Sequence, residues 1–314
     1  MAIQPDFIGK YKIQSVLAVG GMGTVYKATH PSLKREVIIK KLTLRNSGGT
    51  IRERFKREAQ ILLDLSSPYI VRMFDYFSEG RSDYIVLEFV DGMSLDKLID
   101  KQVALPPQLA LLITLDACYG LKSAHAKGIV HRDIKPGNIL ISKRAEIKLA
   151  DFGIASGEKE EEILAREAKM GLLGKSNSFD ANKAITQVGV TLGTPAYMSP
   201  EQLDDSSSVD LKADIYSMGI MLYEMLTGSK PYPGDMAPET INKIKKGQYI
   251  PPEKLDKTIP LVARKIVKKM IRPNASKRYQ SVEPIILKIR RYLKKFDLHE
   301  IRVSLAQSIV SQKS

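Results

Sequence analysis

Over the first 90 or so positions, apolar residues come in short runs rich in Val, Ile and Tyr: YKIQSVLAV, GTVYKATH, EVIIKKL, YIVRMFDYF and DYIVLEFV. Gly, Pro, Ser and charged clusters separate them. Short β-branched and aromatic runs bounded by turn residues predict the strands of an antiparallel sheet. One stretch breaks the pattern. TIRERFKREAQILLDL places Phe55, Ala59 and Leu62 at i, i+4 and i+7, the spacing of a single helix face, with charge on the other side.

After DGMS the period changes. SLDKLID, PQLALLITLDACYGLKSAHAKG, VDLKADIYSMGIMLYEMLTG and IPLVARKIVKKMI read as helices, with Ser94 and Pro106–Pro107 as start signals and the Gly of LTG as a stop. The pattern predicts an α+β chain in two lobes. A small, mainly-β lobe with one helix covers residues 11–90. A larger, mainly-α lobe covers 91–295, with the boundary near Val90–Gly92. In the tail, 296–314, Ile301, Leu305 and Ile309 fall at i, i+4 and i+8 and predict a short amphipathic helix. Packing on the large lobe is its default use; binding a partner or leading into a further segment stay open. There is no internal repeat. Residues 156–185 stand apart: an acidic, helix-favouring half precedes a polar Gly/Ser/Asn half. An insertion this long is usually functional or disordered.

Composition narrows the class. With 314 residues, 43% of them hydrophobic, the chain has enough apolar material for a sizeable core. The net charge of +14 favours anionic contacts: nucleotide phosphates, nucleic acid, acidic proteins or lipid. The basic clusters KIKK, RKIVKK and KIRRYLKK read as solvated helix faces, and no nucleic-acid motif accompanies them, so nucleic acid is not expected as a partner. The one cysteine, Cys118, sits in an apolar helical run and reads as a buried residue of a reducing compartment. No apolar run approaches the roughly 18 residues of a membrane span. The N-terminus MAIQPDFIGKYK lacks the basic-then-apolar layout of a signal peptide. A cytoplasmic location is expected, for this chain alone or as part of a longer protein.

The chemistry concentrates in HRDIKPGNIL, His131 to Leu140, followed closely by IKLADFG. Asp133, Lys135 and Asn138 share a Pro–Gly loop, and Asp151 ends an apolar strand. A carboxylate at Asp133 can orient a hydroxyl. Asn138 and Asp151 offer the oxygen ligands that Mg2+ prefers. Lys135 can neutralise charge on a moving phosphoryl group. Upstream, Gly20 and Gly23 in AVGGMGTVYKA sit in a turn between strands, where the missing Cβ lets backbone N–H groups approach phosphate oxygens. Lys40 lies near the end of the next strand and Glu58 on the helix after it, a pair able to hold the lysine toward phosphates. Each signal is weak alone. In this order they suit phosphoryl transfer.

From about Tyr11 to Leu293, the chain resembles the eukaryotic-like, Hanks-type serine/threonine protein kinases of bacteria. The resemblance implies a bilobal kinase fold that uses ATP and Mg2+. It implies Gly20, Gly21 and Gly23 over the phosphates, with Val25, Ile38, Leu87 as gatekeeper, Glu88, Val90 and Leu140 around the nucleotide. Lys40 would contact the phosphates and pair with Glu58. Asp133 would be the catalytic base with Lys135 beside it, and Asn138 and Asp151 would hold Mg2+. Residues 151–201 would form the activation segment. In it Thr194 would face the catalytic loop, and Thr186 and Thr191 are candidate phosphorylation sites with Arg132 as a cation for the phosphate. Glu201 would pair with Arg278, and Asp214 would brace the catalytic loop. Leu62, Met73, His131 and Phe152 would stack as a spine between the lobes. Expected partners are protein substrates and a second kinase copy for autophosphorylation in trans.

Three features depart from the family pattern. Ala18 stands where the family's first glycine does, and is strained only if its φ is positive. Ile38 replaces the usual Ala beside the adenine and narrows that pocket. The insertion is the third. Its stretch 160–173 is either a docking helix with Ile163, Leu164, Ala168 and Leu172 on its apolar side, or a mobile loop. These features support a rival reading, a pseudokinase scaffold acting through protein–protein contacts. The full set of reactive residues opposes it. A small-molecule kinase would have little use for GTPAYMSPE, the segment that presents a protein substrate.

Overall fold

The computed structural model describes residues 5–20, 23–42, 59–60, 62–63, 65–80, 82–152, 195–204, 209–235 and 237–311. The fold is bilobal and α+β. The small lobe is built on six strands: β1 (Phe7–Ile8), β2 (Tyr11–Gly20), β3 (Gly23–Thr29), β4 (Glu36–Leu42), β5 (Met73–Glu79) and β6 (Ser82–Glu88). They pair antiparallel in the order β1-β2-β3-β4-β6-β5.

Alternation decides which side chains face which way. In β4, Val37 and Ile39 are fully buried, while Ile38 and Lys40 are only partly so. Val37 and Ile39 join Tyr11, Ile13, Tyr26, Ala28 and Val86 in one apolar cluster. The opposite face carries Met73 and Ile85, which pack with Ala59 and Leu62 from a helical segment.

A second, three-stranded sheet of β7 (Gly92–Ser94), β8 (Ile139–Ser142) and β9 (Ile147–Leu149) opens the large lobe. Its described helices are α1 (Leu95–Gln102), α2 (Pro107–His125), α3 (Pro200–Asp204), α4 (Leu211–Thr227), α5 (Pro238–Lys246), α6 (Pro252–Leu255), α7 (Leu261–Met270), α8 (Glu283–Leu293) and α9 (Leu298–Val310). Helices α2 and α4 are buried along almost their whole length. A helix apolar all round belongs in the centre of a lobe. Helix α4 starts at Asp210, whose side chain accepts from the Lys212 N–H, and stops at Gly228 with φ 72°. Among the described residues, no helix is long and apolar enough to cross a membrane.

The lobes meet where residues 69–71 run beside the end of β9. Leu149 N–H donates to Tyr69 O, and Val71 N–H donates to Leu149 O, both at 2.8 Å. Gly120 of α2 makes this approach feasible: a Cβ there would lie 2.8 Å from Tyr69 O and 2.7 Å from Leu149 Cδ1. Because β9 ends two residues before Asp151, this seam sets the position of that carboxylate relative to both lobes.

Helix α9 turns Leu305 and Ile309 into the core. Its Arg302 reaches Asp116 of α2 at 2.8 Å and donates to Ala145 O at 2.9 Å. The Asp116 side chain is 3% exposed, and burial pushes its carboxyl above the usual range while Arg302 opposes that rise. Truncating Arg302→Met leaves a buried carboxylate without its cation. Arg302 is itself partly exposed, so the expected loss is about 1–3 kcal/mol. Thermal denaturation of R302M, D116N and the double variant tests this: the double variant should regain most of what R302M loses, since it no longer buries the charge.

Candidate active site

Register brings the expected nucleotide-side residues onto one face of the small sheet. Val25 pairs with both Ala18 and Lys40, and Lys40 pairs in turn with Ile85. In the neighbouring row Ile38 lies opposite Leu87. Directly opposed residues project to the same side. The β2–β3 hairpin closes at Gly20 opposite Gly23, and Gly23 adopts φ 130°, a backbone that L side chains rarely take. Ala18 is an ordinary strand residue without positive φ, so it carries no such strain. Below, Leu140 of β8 is partly exposed between buried Ile139 and Ile141. Glu88 is structurally committed: its N–H donates to Arg72 O at 2.8 Å, and its carboxylate holds Lys148 at 3.0 Å. Val90 lies in the link between the lobes.

The loop from His131 to Asn138 is held from below by one carboxylate. Asp214, in the first turn of α4 and 1% exposed, accepts the His131 and Arg132 N–H groups, each at 2.8 Å. His125 Nε2 meets the same carboxylate at 2.8 Å. Arg132 has φ 66°, an unusual conformation for a residue with a side chain. The loop ends in a 3-10 turn, Pro136–Asn138, that runs directly into β8.

Three chemistry-bearing groups converge there. The Asp133 carboxylate accepts from Lys135 Nζ at 2.8 Å and from Asn138 Nδ2 at 2.9 Å. Asn138 Nδ2 also donates to Asp133 O at 2.7 Å. The β8–β9 pairing of Ile139 with Leu149 sets Asn138 beside Ala150, whose N–H donates to Asn138 O at 2.8 Å. Asp151 follows at once with φ 57°, and its carboxylate is ion-paired with Lys40. Lys40 therefore reaches across from the small lobe. The buried His131 ring meets Ala150 O at 2.9 Å and packs on Phe152 with centroids 4.5 Å apart. Met73 is buried in the small-lobe cluster, and Leu62 packs against that cluster and the large-lobe core.

Beside the loop, residues 195–204 form a second wall. Arg278 is 2% exposed and bidentate to Glu201 at 2.6 and 2.7 Å. It also donates to the carbonyls of Arg272, Lys212 and Pro273. The Tyr197 hydroxyl donates to Glu224 at 2.5 Å, and burial pushes both groups upward from their ordinary pKa. Gly21, Glu58, Thr186, Thr191, Thr194 and the insertion at 156–185 lie outside the described residues. Two contacts were missed from sequence: His125 on Asp214, and Gln202 Nε2 on Arg132 O at 3.0 Å. Both join residues far apart in the chain, where local spacing carries no signal.

A carboxylate tied to a lysine and an asparagine, a second carboxylate paired with a strand lysine and a glycine hairpin in the same sheet are the kinds of group from which phosphoryl-transfer sites are built. The family model of the protein kinase domain matches residues 11–286, and the chain belongs to that family. Serine/threonine-protein kinase PknB of Mycobacterium leprae is 34% identical over 286 residues, covering 90% of this chain and 42% of that protein. Serine/threonine-protein kinase pkn2 of Myxococcus xanthus is 36% identical over 296 residues, covering 90% of this chain and 33% of that protein. The chain thus spans less than half the length of these relatives. The crystal structure of Rad53 1-466 in complex with AMP-PNP is similar with a TM-score of 0.66 and 26% identity, over 86% of this chain and 62% of that one.

Replacing Glu201 by Ala strands the Arg278 guanidinium in the core. The expected cost is about 3 kcal/mol, within the range for breaking a buried ion pair. Urea unfolding should show a lower midpoint with an unchanged m-value.

Proposed function

We propose that this chain is the catalytic domain of a serine/threonine protein kinase that transfers the γ-phosphoryl group of ATP to hydroxyls of protein substrates. The observation that carries this reading is the convergence on Asp133. Its carboxylate is oriented by Lys135 and Asn138 within a loop clamped by Asp214, and Lys40 spans the lobes to Asp151. Phosphoryl transfer asks a protein mainly for positioning and charge stabilisation.

The roles follow from the contacts. Asp133 accepts the hydroxyl proton or orients the hydroxyl, since Lys135 and Asn138 fix its rotamer. Lys135 also brings a cation to the developing charge. The face shared by Val25, Ile38, Lys40 and Leu87 receives the nucleotide, with Lys40 directed to its phosphates. Asn138 uses its amide nitrogen on Asp133, which leaves the oxygen Oδ1 able to ligate a cation together with the Asp151 carboxylate. A small set of hard oxygen donors fits Mg2+, which completes its shell with water and substrate phosphates. When bound, Mg2+ would neutralise the phosphate oxygens. In this reading a second copy phosphorylates Thr186 or Thr191, and the chain works in the cytoplasm, where ATP is. The unstrained Ala18 removes one support of the scaffold alternative.

Incubation of wild type and Asp133→Asn with ATP and Mg2+, followed by peptide mass spectrometry, tests the reading. Phosphate on Thr186 or Thr191 in wild type alone is expected, and EDTA should abolish it. No transfer to either site or to a generic substrate would sink it. For Ile38, partly exposed opposite Leu87, the expected effect of Ile38→Ala is a lower KM for ATP by about three- to tenfold, as a crowding side chain is removed. Steady-state kinetics at saturating peptide check this, and an unchanged KM would show that Ile38 does not narrow the site.

A further inference from the structure

We propose that Gln202 is a positioning residue for phosphoryl transfer, fixing the peptide that leads into Asp133; this rests on the kinase reading above. Gln202 stands third in helix α3, after Ser199, Pro200 and Glu201. Its amide oxygen accepts from the Ser199 N–H and the Ser199 hydroxyl, each at 3.0 Å. Together with Pro at the first helical position, that is one half of a capping box, the N3 side chain reaching back to the N-cap, and such a cap is a structural device. It uses only the oxygen. The amide nitrogen turns the other way and donates to Arg132 O at 3.0 Å, across 70 positions of sequence.

The location of that bond gives it a role. Arg132 sits at φ 66°, and its N–H is held by Asp214 Oδ1 at 2.8 Å. The peptide plane before Arg132 is thus pinned by Asp214, and the plane after it is pinned at its carbonyl by Gln202 at 3.0 Å and at its N–H by the longer, 3.3 Å bond to His131 Nδ1. The second plane ends at the Asp133 nitrogen. With both planes held, the strained residue cannot relax by rotating either peptide, and Asp133 starts from a fixed point. From there Lys135 and Asn138 orient the carboxylate. A side chain that must accept from Ser199 and donate to Arg132 needs an amide. Glutamate satisfies the cap but offers Arg132 O no hydrogen, and methionine offers neither bond.

The test uses the full chain as wild type, Gln202→Glu, Gln202→Met and Asp133→Asn. Each is measured for kcat, KM for ATP, thermal midpoint and amide hydrogen exchange at residues 131–138. Both Gln202 variants should lose kcat by about ten- to a hundredfold, the range of small misplacements of a reacting group. KM for ATP should stay within about twofold, because the nucleotide face belongs to the other lobe. Exchange in the loop should rise in both, and the thermal midpoint should hold in Gln202→Glu, which keeps the cap. Wild-type kcat in Gln202→Glu with a loss only in Gln202→Met would reduce the residue to its cap. A loss only in Gln202→Glu would assign the effect to added charge. Unchanged exchange in both would overturn the clamp. If wild type is no more active than Asp133→Asn, the kinase reading fails, and the exchange data still decide whether Gln202 holds the loop.

Discussion

Much of the site hangs on a single buried carboxylate. Asp214 is almost wholly withdrawn from water and takes hydrogen bonds from the His131 and Arg132 backbone and from His125. A buried carboxylate without such donors would carry a large desolvation penalty. Here most of the donors are the backbone of the His131–Asn138 loop, so satisfying Asp214 and shaping that loop are one event. The first turn of α4 favours negative charge, and α4 is the apolar axis of the large lobe. The loop geometry is thereby anchored to the part of the lobe that is hardest to deform.

From this anchor the site is assembled by three strands of connection. The 3-10 turn passes the chain into β8, and β8 pairs with β9 so that Asn138 is set beside Ala150, the residue before Asp151. The Tyr69–Val71 seam binds β9 to the small lobe, and Lys40 closes the circuit by pairing with Asp151. The wall at 195–204 is fixed separately, by the Glu201–Arg278 pair whose guanidinium finds carbonyl partners on three other residues. The small-lobe face around Lys40 and the wall at 195–204 are therefore held by different parts of the core. The wall meets the His131–Asn138 loop through Gln202 on Arg132 O.

Local pattern carried a good deal of this. The short β-branched run in EVIIKKL implied a strand, and the structure shows Val37 and Ile39 inward with Ile38 and Lys40 on the other face. PQLALLITLDACYGLKSAHAKG and VDLKADIYSMGIMLYEMLTG read as helices, and the structure contains them, buried along almost their whole length. The tail's i, i+4, i+8 spacing implied a helix, but not that Arg302 would neutralise Asp116. Ala18 looked anomalous beside glycines; pairing with Val25 in an extended strand makes it ordinary.

What the sequence determined by itself is the inventory: the main strand and helix segments, and the reactive side chains available in them. Periodicity and short motifs are local properties, and local conformational preference writes them directly into residue spacing. Tertiary structure alone decided the partnerships: Asp214 with His125, Gln202 with Arg132, Arg278 with its carbonyls, Arg302 with Asp116 and Lys40 with Asp151. Each joins groups that only chain folding brings within hydrogen-bond distance. The pairs on Asp214, Arg278 and Asp116 follow from the need to satisfy a charged group where the core has excluded water, while the more exposed Lys40–Asp151 pair follows from the way the two lobes meet; no stretch of sequence expresses either before the chain has closed.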